Sequence, residues 1–486
     1  MKKNKVIFNI LVIVSFFVIA YLLAQKVFQN DTYYTIKVGE SIFKNGVDMK
    51  DHFSFIPNLT YVYPHWLYDS FIYLMYSIGG FTLIYLSTIA LGFTLLFMTY
   101  QFSVKLGNNK YVSYLLIMFF SFFLEGYFTA RAQMFSYIFF VIILYSLEML
   151  RNTKKKRYFI YLFISSWMIA NMHAAVWPFV FVLFLPSIAQ DVISVIKNIF
   201  KLKFLDTFNF EIEDNKIIIT MIAFVLCLLT GFLTPNFLVP FTYFIKTASG
   251  ISMNYISEHG PITIKSYWYV YLFLLGTLVI LLNKKVKIKL KDLFLILGLF
   301  IVAFSSIKNI SLLFILSIFV YSRIFSLFKY DGIESYLWNK YFICALLILF
   351  SITFAVAFKT YGKKDYVNEK LYPVQACDYI LENLDVENIK IFNQYDFGSY
   401  MLYREIPVFI DSRADLYLKE FNKDCYVFED YFDAKNNSTY RYVFNKYGIT
   451  HLLLRNNTQL YYTITDYENY NVLYKDDYFT LFELGD

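Results

Sequence analysis

Long apolar runs alternate with short polar breaks over the first three quarters of the chain. Crossing a hydrocarbon core takes about 20 apolar residues in a helix. Eleven stretches come near that length and are predicted as spans: 6–24, 81–102, 111–126, 132–150, 158–172, 176–196, 216–234, 267–283, 292–307, 310–327 and 340–358. The segment Leu67–Gly79 is shorter, carries Asp69 and closes on Gly79-Gly80, so an interfacial or re-entrant helix is expected there. From Tyr372 the pattern becomes that of a soluble fold. PVQACDYILENL, YDFGSYMLYRE and STYRYVFNKYGI read as helices, whereas IKIFN, PVFIDSR and THLLLR read as strands before a terminal hairpin. Alternating strands and helices imply a small α/β domain.

Charge orients this pattern. Lys and Arg collect in short cytoplasmic loops, and the basic connections are Arg151–Arg157, Lys197–Lys216, Lys284–Lys291 and Arg323–Lys340. All four share one side only if Leu67–Gly79 does not cross. The N-terminus is then cytoplasmic, and the C-terminal domain extracytoplasmic. Three lysines precede the first apolar run, which is long and lacks a small-residue cleavage pattern, so an uncleaved helix is expected over a signal peptide.

Composition agrees. Of 486 residues, 58% are hydrophobic and 17% charged, against about 25% charged in soluble domains. A soluble fold, a disordered chain and a disulfide scaffold are thereby excluded. The net charge of +7 hides a split: residues 1–363 carry 32 Lys and Arg against 16 Asp and Glu, and residues 364–486 carry 12 against 21. The basic excess belongs to topology, and nucleic-acid binding is not indicated. Four cysteines show no metal spacing; only a Cys377–Cys425 disulfide is left open.

On this topology all five histidines, and every proline except Pro186, fall on the outer side. The candidate chemistry follows them. Asp31 comes directly after the first span, and Asp48 and Asp51 follow in the same loop before Pro64-His65-Trp66. A carboxylate there deprotonates a hydroxyl or holds a divalent cation, unless it simply ends a helix or sits in a solvated loop. Glu125 and Arg131-Ala132-Gln133 bracket a tight outer turn; Arg131 either binds phosphate or pairs with Glu125. Asn171 and His173 close another helix, Glu258-His259 lies in a long loop, and Lys308-Asn309 occupies a helix–helix tip. Asp411-Ser412-Arg413-Ala414-Asp415 marks a strand end where either ligand contacts or an Asp–Arg pair would fit. Walker, GxSxG and HExxH patterns do not occur.

The order of these features resembles the bacterial GT-C superfamily of membrane glycosyltransferases. The resemblance rests on Asp31 with Tyr33-Tyr34 and Gly39, Asp51-His52-Phe53-Ser54, His65-Trp66-Leu67, Ala130-Arg131-Ala132-Gln133, Asn171-Met172-His173 and Lys308-Asn309. Asn393-Gln394-Tyr395-Asp396 and Asp411-Ser412-Arg413 extend it into the soluble end. It implies a GT-C-like transmembrane domain over 1–360 and an extracytoplasmic α/β domain over 361–486. It also implies transfer of a sugar from a polyprenyl-phosphate donor to a cell-envelope glycan, lipid or protein at the outer face of the bacterial plasma membrane. Asp31 and Asp51 take the catalytic positions. His65, Arg131, Gln133, Asn171, His173, Glu258, Lys308 and Asn309 bind substrate, and Asp31 with Glu125 holds a divalent cation such as Mg or Mn. A flippase of lipid-linked saccharides and a non-catalytic envelope scaffold are the alternatives.

Overall fold

The structure is a computed structural model that describes residues 2–202, 210–283, 287–328, 340–436 and 439–485. Parts of three basic connections (203–209, 284–286 and 329–339) and Asn437-Ser438 lie outside them. Helices run through all eleven apolar stretches. Among the described residues, seven helices are long and apolar enough to cross a membrane, and Lys110–Leu124 and Ile217–Phe232 are shorter apolar ones. The protein is thus a multi-pass helical membrane protein. The chain divides into two compact units, one of residues 1–25, 85–241 and 256–363, the other of 26–84, 242–255 and 364–486.

In the first unit the helix Ile310–Ser326 is buried around nearly its whole circumference, as expected of a helix apolar on every side. Polar residues are buried at one end of the bundle and pair with each other. Arg151 makes a two-pronged contact with Asp191 at 2.6 and 2.9 Å and bonds Thr220. Lys291 bridges Glu148 and Glu213, Lys289 joins Glu213, and Arg323 holds Asp292 and reaches Glu148. Outside the helices, β1 (Phe210–Glu211) and β2 (Ile288–Lys289) pair in parallel beside this network.

The second unit carries a four-stranded sheet ordered β3 (Ile391–Asn393), β4 (His451–Arg455), β6 (Phe479–Glu483), β5 (Asn471–Lys475). β3 and β4 are parallel, and the rest are antiparallel. Asp476 shapes the β5–β6 turn by accepting from the amides of Tyr478 and Phe479. The helices Val374–Asn383, Tyr395–Tyr403 and Tyr440–Tyr447 form where the pattern places them, and Val427–Lys435 and Gln459–Tyr467 add to them. PVFIDSR is not a strand of the sheet. The Asn393 side chain takes the Phe409 amide and the Ile410 carbonyl, and the Val408 backbone bonds Phe53 and Phe55. These partners satisfy the backbone groups a ladder would otherwise use. All four cysteines are free, so the disulfide left open by the sequence does not form.

The stretch after the first apolar helix opens with the helix Asn30–Asn45, which packs its Tyr33 ring 4.8 Å from Tyr372 and 5.1 Å from Tyr400. The helix Trp66–Lys105 breaks at Gly79 and Gly80, where the sequence ends its short segment. Gly80 has φ +59°, a conformation that side chains resist.

Candidate functional site

Two clusters hold the candidate residues, one in each unit. In the second unit, Asp31 lies half-buried in the first turn of Asn30–Asn45, where the helix dipole favours an anion. Tyr34, one turn on, places its hydroxyl 3.0 Å from His65 Nε2. His65 Nδ1 sits 2.8 and 2.9 Å from the two oxygens of Asp69, whose side chain is fully buried. Burial opposes the charged imidazole, yet Asp69, Asp415 and Asp31 outweigh it and raise the His65 pKa above the ordinary histidine value. With the Nδ1 proton directed at Asp69, neutral His65 accepts from Tyr34 at Nε2.

Asp51 has a different setting. Its Oδ1 accepts from Arg413 Nη1 at 2.6 Å and its Oδ2 from the Ser54 amide at 2.8 Å. Arg413 also grips both oxygens of Asp411, which in turn accepts from Tyr417. The guanidinium lies 5.2 Å from the Phe53 ring centroid and 5.0 Å from that of Tyr61. Asp51 is therefore engaged as a strut at both oxygens. Of the two readings of Asp411–Asp415, the structure forms the Asp–Arg pair. Burial raises the Asp415 pKa against the opposing pull of His65 and Arg413.

In the first unit, Arg131 Nη1 donates to both oxygens of Glu258, at 3.1 and 3.2 Å. The Lys308 turn joins this pair: Ser306 Oγ donates to the Glu258 carbonyl and the Ile307 amide to Gly260. Tyr127 bonds the Ile307 carbonyl, and Gln133 donates to the Tyr127 carbonyl at 3.1 Å. Asn309 Nδ2 reaches the Val302 carbonyl. Val302 also lines an apolar cleft of about 370 Å³, mouth included, with Phe140, Leu183, Leu299, Leu312 and Leu316. His173 Nδ1 lies 2.9 Å from Ser136 Oγ, while Asn171 is buried and donates to the carbonyls of Trp167 and Leu233.

No family model matches the sequence, and no curated protein matches it. Solved structures do resemble the fold. ArnT from Cupriavidus metallidurans in the apo state superposes with a TM-score of 0.57 at 9% identity, over 98% of this chain and 97% of that one. ArnT bound to undecaprenyl phosphate gives 0.55 over the same shares. The Archaeoglobus fulgidus oligosaccharyltransferase gives 0.55 at 12% identity, over 91% of this chain and 69% of that one. The chain has the GT-C fold.

Within this GT-C fold the sequence candidates separate. Asp31, Asp51 and His65 belong to the second unit; Glu125, Arg131, Gln133, Asn171, His173, Glu258, Lys308 and Asn309 belong to the first. Arg131, Gln133, Glu258, Lys308 and Asn309 share one hydrogen-bonded turn system. Asn171 serves its own helix end and the neighbouring turn. Glu125 is exposed. Among the described residues, no three His, Cys, Asp or Glu side chains gather as a metal site. Asp69 and Tyr61 were not among the sequence candidates, although Asp69 stands at i+4 from His65, the spacing at which helical side chains meet.

Proposed function

We propose that this protein transfers a sugar from a polyprenyl-phosphate donor to an acceptor hydroxyl at the outer face of the membrane. The carrying observation is the junction in the first unit of a cationic turn with an apolar cleft. Lys308 stands four residues before Leu312, and Asn309 bonds the carbonyl of cleft-lining Val302. An anionic headgroup suits Arg131 and Lys308, and an isoprenoid chain suits the walls below. ArnT, which shares the fold, binds undecaprenyl phosphate.

In this reading the acceptor oxygen attacks the anomeric carbon, and the bond from that carbon to the phosphate oxygen breaks. The electron pair leaves with the lipid phosphate, whose charge Arg131 and Lys308 neutralise. Asp31 receives the acceptor proton, and His65 and His173 orient the sugar or acceptor. Eleven spans, a cytoplasmic N-terminus and an extracytoplasmic C-terminal domain belong to the same proposal.

The test is incorporation of label from a lipid-phosphate sugar by wild type and Asp31→Asn. Loss of a positioned base costs about 10²–10⁴-fold. Full activity in the variant removes Asp31 as the base.

A further inference from the structure

The apolar cleft of the first unit has a notch in one wall. Two helices line the cleft with matching stripes at i, i+3, i+4 and i+7, the spacing of a single helix face. One stripe runs from Phe179 to Pro186 on the helix Phe179–Phe200, the other from Leu295 through Gly298 to Val302 on Leu290–Ser305. Phe140, Leu312 and Leu316, all buried, close the floor. The stripe residues Val182, Pro186, Leu295, Gly298 and Val302 are only half-buried. Leu185, Leu297 and Ile301 beside them are exposed, so the cleft opens on an apolar surface that faces lipid. Its Val302 end meets the Lys308-Asn309 turn, where Asn309 bonds the Val302 carbonyl.

A glycine in the middle of a helix destabilises it relative to alanine. Close packing offsets this at Gly92 and Gly231, where a Cβ would stand 2.7 Å from Phe128 and 2.6 Å from Trp177. A Cβ on Gly298 would meet nothing within 4 Å. Packing does not account for this glycine; what it supplies is room in the cleft wall. On the other wall Pro186 has no N–H for the Val182 carbonyl, which favours a bend there. From Leu295 to Val302 the wall is about 10 Å of helix, enough for the start of a lipid chain and too short for all of it. A straight chain lying there leaves the notch empty and forfeits its contacts. A chain with methyl branches fills it.

We propose that the notch at Gly298 receives a methyl branch of the bound lipid, so that Gly298 makes the cleft selective for isoprenoid over straight-chain phosphates. The inference rests on the glycosyl-transfer reading for the headgroup and adds the residue that selects the chain. Burial of one methyl group corresponds to about fourfold in affinity.

The experiment measures binding of two lipid phosphates to the full chain in nanodiscs. The probes are hexahydrofarnesyl phosphate and dodecyl phosphate, saturated chains of one length that differ in methyl branches alone. Wild type binds the branched probe several-fold more tightly. Gly298→Ala puts a methyl of the protein in the notch and brings the two affinities together, and Gly298→Leu weakens both. Gly276→Leu, at a glycine with equally open surroundings outside the cleft, keeps the wild-type preference. Equal affinities in wild type overturn the inference, and are the result expected of a cleft filled by bilayer acyl chains. A preference that survives in Gly298→Ala, one that Gly276→Leu also abolishes, or no binding of either lipid overturns it too. Melting curves without ligand report folding; should Gly298→Leu not fold, Gly298→Ala decides. No sugar moves in this assay, so the two readings fail separately. Selective binding without transfer from any lipid-linked donor supports the chain site and overturns the transferase. Transfer from straight-chain donors as fast as from isoprenoid donors does the reverse.

Discussion

A buried guanidinium is tolerable when its donors are met, and Arg413 meets them on Asp411 and Asp51. Removing one partner strands the remaining charge, at a cost of about 3–5 kcal/mol. Arg413→Ala and Asp51→Ala are therefore expected to lower the melting temperature sharply, and Asp51→Asn less so, as read by thermal unfolding in detergent. An unchanged melting temperature in Asp51→Ala would remove its role as a strut. His65 adds a pH dependence. Its raised folded pKa means that its stabilisation is complete below about pH 6.5, the unfolded value. That contribution fades as pH rises through the higher folded value. Melting curves taken across that window should show wild type losing stability relative to His65→Gln as pH rises. The Asp411–Arg413 pair was legible because the two stand two residues apart. Asp51 lies 362 residues from Arg413, and no local pattern reports such a partner.

Elements formed where periodicity was strong, and their junctions carry the steric demands. A Cβ on Gly39 would stand 2.2 Å from the Asp69 carbonyl oxygen, so Asn30–Asn45 and the helix beginning at Trp66 approach closely there. Gly39→Ala should force this pair apart and cost about 1–3 kcal/mol, measured as a loss of melting temperature. At Gly80, with φ +59° and ψ −154°, any side chain meets backbone strain of about 1–3 kcal/mol. Gly80→Ala tests this in the same assay, against Gly276→Ala, where nothing crowds the added carbon. PVFIDSR carries a strand's composition, yet its backbone bonds go to the Asn393 side chain and to Phe53 and Phe55. β propensity reports a half-buried environment rather than a sheet partner.

At the scale of the whole molecule, charge is distributed in two ways. The network of Arg151, Asp191, Glu148, Lys291, Glu213 and Arg323 is matched within itself and ties helix ends of the first unit together. Arg151→Met or Asp191→Leu alone should destabilise strongly, while the double replacement should be better tolerated, because no uncompensated charge remains. Additive losses in a double-mutant cycle would show that the pair acts as two independent groups. The Arg131–Glu258 pair is partly exposed and contributes little to stability. Arg131→Ala should therefore spare the melting temperature while reducing transfer.

The hydropathy pattern by itself determined that this is a multi-pass helical membrane protein. It also located the helices, the break at Gly79-Gly80, the change of pattern near Tyr372 and most of the polar residues with chemical potential. These features are local, written into residues within one or two helical turns of each other. Tertiary structure alone decided the partners. It put Asp51 on Arg413 and paired Arg131 with Glu258. Those contacts arise when segments hundreds of residues apart bury their surfaces together, and a buried polar group takes whichever partner packing brings within hydrogen-bond reach.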